Sequence, residues 1–360
     1  MDRLFEPLTF RRGPAMKNRF MLAPLTNLQS HADGTLSEEE FNWLTLRARG
    51  GFGLVMTCAS HVQAIGQGFP GQLGTWSDRH VQGLTRLAAE LKRHGSVAAV
   101  QLHHAGLRSP ATLIGEAPVS ASDDEKTGAR ALSTAEVEQL AEDFVLAALR
   151  AERAGFDGVQ VHGAHGYIVC QFLSATFNRR DDRYGGSLEN RCRLLFDIVE
   201  GIRARCRPDF LLSVRLSPER FGMTLKETTL IARRLLDSGL IDLLDLSLWD
   251  VFKEPEEAEF KGKPLIDWFT PLERGEVRLS VAGKIRSAED ARRVFDAGVD
   301  ALTIGRAAIL HHDFPERCRD DPFFEPVDLP VTPDYLRSEG LSDKFIDYMS
   351  SWEGFVAEDL

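Results

Sequence analysis

The sequence predicts a (β/α)8 barrel carrying an N-terminal hairpin and a C-terminal helical tail. Three observations lead there. Eight short apolar or β-branched runs alternate with stretches of helical spacing, the order expected of a parallel sheet closed by crossover helices. Most of those runs are apolar throughout, as strands buried on both faces should be. A doubly wound sheet would need a glycine-rich dinucleotide turn after an early strand, and the first run ends instead in Ala23-Pro24-Leu25-Thr26.

Taken in order, residues 7–19 turn at Arg12-Gly13-Pro14 and suit a hairpin closing the barrel bottom. The expected strands are Phe20–Ala23, Gly53–Thr57, Val97–Leu102, Gly158–Val161, Leu211–Leu216, Leu243–Leu246, Arg278–Val281 and Ala301–Ile304. Ser37, followed by three glutamates, reads as a capping box that opens the first helix. A second helix starts near Ser133-Thr134, where Val137, Leu140, Phe144, Ala147, Ala148 and Ala151 recur at helical spacing. Ser187 and Ser287 are N-cap residues with acidic residues in the turn that follows. Gly155, Gly239 and Gly298 stand where helices should stop before the next strand. The barrel core spans residues 18–315. The tail from 321 to 360 begins Pro-rich and is expected to be helical over Leu341–Val356. No linker or repeat divides the chain, so 1–360 reads as one domain.

Composition excludes several classes of function. A net charge of −11 opposes nucleic-acid binding, which needs a basic surface. No apolar run reaches the ~18 residues of a membrane span, and the first residues lack the apolar core of a signal peptide. Five scattered cysteines suit reduced thiols in the cytoplasm. The expected partner is a small molecule.

The chemistry gathers at the carboxyl ends of the strands, which share one rim. The fourth strand is followed by His162-Gly163-Ala164-His165-Gly166-Tyr167, two imidazoles and a phenol able to donate hydrogen bonds and protons. The last two strands end in Gly283 and in Gly305-Arg306, which suit a phosphate. Gln101, Arg215 and Thr26 could line a pocket for a ring system, with Gln101 against an imide edge and Arg215 beside an electron-poor ring. Each also has a plain alternative: an internal hydrogen bond, a buried ion pair and a cap. Histidines three apart also suit a metal, but a third ligand is missing from the first strand, and Asp300 precedes the eighth.

From Leu4 to about Pro315 the chain resembles the Old Yellow Enzyme family of flavin-dependent ene-reductases. The resemblance rests on His162 to Tyr167, then Gln171-Phe172-Leu173, Asn178, Arg180, Asp182, Tyr184-Gly185-Gly186-Ser187 and Glu189-Asn190-Arg191. Asn18-Arg19 and Gln101 to Gly106 add to it. It implies noncovalent FMN at the rim and NADPH or NADH as hydride donor. Ala23, Pro24, Leu25, Thr26, Ala59, Gln101 and Arg215 would contact the flavin, and Gly283, Gly305 and Arg306 its phosphate. His162 and His165 would bind the carbonyl oxygen of an activated alkene (an enone, an enal or a nitro compound), and Tyr167 would be the proton donor. No metal is implied. A homo-oligomer is expected, with the aromatic tail packed on its own barrel or on a neighbour. The chain departs from the pattern at Thr26, a cysteine in some relatives, at Leu28, an aromatic in some, and at His165, often Asn. Only Cys318 follows the barrel, so no iron–sulfur cluster is expected. A flavin-dependent isomerase or demethylase, a metal-dependent barrel hydrolase and a non-catalytic flavin binder are the alternatives.

Overall fold

Each apolar run finds its neighbour in the chain, and the last pairs with the first. In the computed structural model, which describes residues 2–357, the strands are β1 (Phe20–Leu22), β2 (Leu54–His61), β3 (Val97–His103), β4 (Gly158–Gly163), β5 (Leu211–Leu216), β6 (Leu243–Ser247), β7 (Arg278–Ala282) and β8 (Ala301–Ile304). They form a closed parallel barrel in sequence order. Several ends differ from expectation. β1 stops at Leu22, although the Ala23 N–H still donates to Ile304 O at 3.0 Å. β2 runs on to His61 through a register irregularity between Met56 and Ala59. β4 includes His162, so that imidazole is carried by the sheet itself.

The serine signals hold. Ser37, Ser133, Ser187 and Ser287 cap helices Glu38–Arg49, Thr134–Arg153, Leu188–Arg205 and Ala288–Asp296. The capping box at Ser37 is only half made. Its hydroxyl accepts from the Glu40 N–H at 3.1 Å, but the Glu40 carboxylate turns inward to Asn27 at 3.1 Å and to Ser30. Glu40 is therefore fully buried, and burial raises its pKa. It ties the first helix to the loop leaving β1.

One expectation fails. The crossover from β6 to β7 contains no α-helix, only 3-10 turns at Ala258–Phe260 and Leu265–Trp268. Pro255, Gly262, Pro264, Pro271 and Gly275 interrupt that segment too often for helical bonding. The tail is helical as expected, in two short helices, Pro333–Ser338 and Asp343–Ser350, the second lying within Leu341–Val356. Ser342 takes the N-cap position of the second, and Val356 pairs with Val331 as an isolated bridge. The tail packs on its own barrel, with Phe345 edge-on to Trp43 at 5.4 Å.

Strand alternation sorts the barrel interior into layers. Leu8 and Met16, paired as a one-bridge hairpin, join Met21, Leu54, Met56, Val97, Ala99, Leu243 and Ala301 in an apolar floor. Two residues further along, the inward positions turn polar: Gln101, Gln160, Ser213, Asp245, Ser280 and Thr303 are all buried. Two further still are His103, His162, Arg215 and Ser247, at the rim. The other core cluster packs the strands' outer faces against the helices.

Candidate active site

The rim grows out of the polar layer. Asp245 sits at its centre, fully buried. It accepts from Ser280 Oγ at 2.8 Å, Thr303 Oγ1 at 3.0 Å and Gln160 Nε2 at 3.3 Å, and its Oδ2 lies 3.2 Å from Arg215 Nε. The buried ion pair weighed for Arg215 is thus present, and Arg215 also lines the cavity that opens over the rim. Gln101 stands opposite Ala59 on one side and Gln160 on the other. Its Nε2 donates to Gln160 Oε1 at 2.8 Å, while its own Oε1 is buried with no partner among the described residues.

His162 and His165 meet at the rim. The Ala164 N–H donates to His162 Nδ1 at 3.3 Å, which assigns the ring proton to Nε2. His162 Nε2 then faces His165 Nδ1 at 3.3 Å, and His165 Nε2 faces Ser247 Oγ at 2.7 Å. Reaching this position puts His165 in the left-handed region, φ 60°, with its N–H held by Ser217 Oγ at 3.0 Å. Burial, ahead of neighbouring cationic groups, pushes both imidazoles well below their ordinary pKa, so they are neutral donors at pH 7.

Tyr167 is packed among aromatic rings. His103 meets it edge-on at 4.3 Å and His162 at 5.1 Å, and the guanidinium of Arg108 lies 4.7 Å from its ring centroid. Both ring nitrogens of His103 are buried without a partner among the described residues, and burial keeps this imidazole neutral as well. The buried amide of Gln171 clamps the loop after β3 to the loop after β4. Its Nε2 donates to Gly166 O at 2.7 Å and Ala105 O at 3.3 Å, and its Oε1 accepts from the Leu107 N–H at 3.3 Å.

A cavity of about 790 Å³ opens over this rim. Ala23, Pro24, Leu25, His165, Arg215, Gly283, Gly305 and Arg306 line it, whereas Thr26, Ala59, Gln101, His162 and Tyr167 lie outside its wall. At the β7–β8 end three cationic side chains converge. Lys284 is paired with Asp250 at 2.9 Å, but Arg286 and Arg306 face the cavity without a carboxylate partner among the described residues. Burial lowers the Arg306 pKa, and the charge of Arg286 lowers it further. Gly283 completes this end, because a Cβ there would sit 2.9 Å from the Asp250 backbone nitrogen.

The donor set fits FMN. Two unneutralised guanidiniums suit its phosphate, and the orphaned Gln101 Oε1 and the held Arg215 suit a polar ring edge. Among the described residues no group of three or more His, Cys, Asp or Glu side chains is arranged for a metal ion.

Several participants escaped the sequence reading. Asp245 is a charge inside the apolar run Leu243-Leu244-Asp245-Leu246, a signal that was there to be used. Arg286 lies two residues beyond Lys284. Trp352 of the tail and Trp249 of the irregular crossover also line the cavity, and neither carries a local signal.

Comparison with known proteins agrees with this geometry. The family model described as the NADH:flavin oxidoreductase / NADH oxidase family matches residues 3–321. The chain is 36% identical over 318 residues to the probable NADH-dependent flavin oxidoreductase YqiG of Bacillus subtilis, covering 85% of each protein. It is 32% identical over 332 residues to the NADH:fumarate oxidoreductase of Klebsiella pneumoniae, covering 88% of this chain but only 36% of that protein. The structure of the old yellow enzyme homologue from Zymomonas mobilis matches with a TM-score of 0.80 at 28% identity, over 95% of this chain and 99% of that one. With nearly the whole barrel matched, the chain belongs to the NADH:flavin oxidoreductase family, that of Old Yellow Enzyme, and is an FMN- and NAD(P)H-dependent oxidoreductase.

Proposed function

We propose that this chain is an ene-reductase that saturates the carbon–carbon double bond of an α,β-unsaturated carbonyl compound or a similarly activated alkene. The hydride, with NADPH or NADH as its source, would be supplied by FMN bound at the rim. Ala23, Pro24, Leu25, Thr26, Ala59, Gln101 and Arg215 would hold its ring, and Gly283, Gly305 and Arg306, joined by Arg286, its phosphate. The remaining work falls to the rim.

The observation that carries this reading is the contact of two neutral imidazoles with each other beside a phenol, at the edge of a cavity. The His162–His165 bond is long, at 3.3 Å, and is easily exchanged for a better acceptor. A substrate carbonyl oxygen would take the Nε2 protons of both rings. As negative charge develops on that oxygen, the two donors strengthen, which is oxyanion-hole stabilisation. Tyr167, on the same rim, would deliver the proton to the α-carbon. Asp245 serves this indirectly by pairing with Arg215, whose Nη2 donates at 3.5 Å to Ser247 Oγ, the hydroxyl that also faces His165 Nε2.

The test is anaerobic turnover of 2-cyclohexenone by the FMN-loaded enzyme. Losing one such donor costs roughly 3 kcal/mol in the transition state, about a hundredfold in rate. His162→Ala and His165→Ala should each lose about that much in kcat/KM while FMN affinity changes far less. Full turnover in both variants would refute the assignment.

A further inference from the structure

We propose that Arg108 is a positioning residue for the proton-transfer step, holding the Tyr167 phenol in place and stabilising the negative charge left on its oxygen as the proton leaves. The proposal rests on the reading of Tyr167 as the proton donor.

The geometry is specific. Arg108 follows β3, and its Nη1 donates to His165 O at 2.6 Å, two residues before Tyr167. That bond sets the guanidinium over the phenol, with Cζ 4.7 Å from the ring centroid. A cation over an aromatic face is attracted by the neutral ring, and more strongly once the ring carries negative charge. Among the described residues no carboxylate pairs with Arg108, so its charge is not cancelled locally.

The two partners also move together. Gln171 joins Ala105 and Leu107, on the arginine's loop, to Gly166, on the tyrosine's loop. The Ile168 N–H, next to Tyr167, donates to His104 O at 3.0 Å. The buried polar clamp between the loops fixes the height of the guanidinium above the ring.

The other polar groups around Tyr167 cannot take this role. His103, His162 and His165 are neutral for lack of hydration. Arg215 is paired with Asp245. Tyr348, on the tail helix, is a phenol whose pKa burial raises, so it carries no charge at pH 7. Arg108 is the formal charge in contact with the ring.

In the step itself the Tyr167 O–H bond breaks and its electron pair stays on oxygen. The proton forms a C–H bond with the electron pair on the α-carbon of the substrate enolate. The phenolate is then reprotonated by solvent water, which becomes hydroxide and is neutralised by buffer. Arg108 lowers the energy of the phenolate through this cycle and touches neither substrate nor flavin.

The experiment uses the reduced holoenzyme in stopped flow, oxidised by 2-cyclohexenone or by ferricyanide. The first is neutral, so Arg108 cannot act on it as an anion anchor. The second takes electrons and no carbon-bound proton. Arg108→Met should slow the cyclohexenone reaction about tenfold more than the ferricyanide reaction, the size of a single close charge interaction near the surface. Arg108→Lys should recover most of that loss by restoring the charge. In a Tyr167→Phe background, Arg108→Met should add less than about a twofold loss, because the group it acts through is gone. Equal losses with both acceptors would overturn the proposal. So would an undiminished effect in the Tyr167→Phe background, or a lysine variant as slow as the methionine one. If Tyr167→Phe alone keeps the wild-type rate with cyclohexenone, the proton-donor reading itself fails, and that single variant identifies the failure.

Discussion

Replacing Asp245 by alanine should unmake the floor of the site. The carboxylate is fully buried, accepts from three donors, Ser280, Thr303 and Gln160, and forms an ion pair with Arg215. Its loss strands the Arg215 guanidinium, which is nearly fully buried, and breaking one partner out of a buried pair costs about 3–5 kcal/mol. The two hydroxyls can rotate to other acceptors, so they add only about 1 kcal/mol together, at the low end for neutral donors. The expected total is roughly 4–6 kcal/mol. Asp245→Asn keeps the shape and one acceptor oxygen, and should cost less than half as much. Urea unfolding of the apoprotein, followed by tryptophan fluorescence, measures both. A loss below about 1 kcal/mol for Asp245→Ala would mean that Arg215 finds another partner, and that the buried pair does not hold it.

Two further predictions follow from the same contacts. Arg286→Met should weaken FMN binding about tenfold or more, read from quenching of flavin fluorescence on titration, because a charge-assisted bond to the phosphate is worth about 1.5–3 kcal/mol. Unchanged affinity would remove Arg286 from the phosphate site. The chain should also lose stability in mild acid. Burial depresses His61 to about 4 and His104 to about 3. The folded state therefore binds fewer protons than the unfolded one below the ordinary imidazole value of 6.5. The stabilisation is present above 6.5 and is lost as pH falls toward 4 and 3. At pH 5 each group should already cost about 2 kcal/mol. Comparing urea midpoints at pH 7 and pH 5 tests this, with His104→Gln expected to narrow the gap. A gap unaffected by that substitution would contradict it.

Much of the barrel was legible because its signals are local. β5 and β8 begin and end where the apolar runs do, and four serines cap four helices. The rim residues were legible because strand ends in a closed barrel must converge. What stayed hidden depends on contacts distant in sequence. Glu40 satisfied every local rule for a capping box and was drawn instead to Asn27 and Ser30. The bulge near Met56 is a property of paired strands that no single run displays. The crossover from β6 to β7 puts Trp249 on the cavity wall, and its prolines and glycines interrupt helical bonding further along. Arg108, an exposed arginine after a short turn, gains meaning only once Tyr167 lies beneath it.

The apolar floor has one consequence for traffic through the molecule. With Leu8 and Met16 sealing the lower end among Met21, Met56 and Leu243, the barrel is a vessel open at one mouth. Water has no route to the polar layer from below. On the proposed reading, every proton spent at the rim must come back past the same mouth through which nicotinamide and alkene would arrive and leave. An occupant that covers the mouth therefore postpones the recharging of the donor beneath it, so each turnover has an order imposed by plumbing as much as by chemistry.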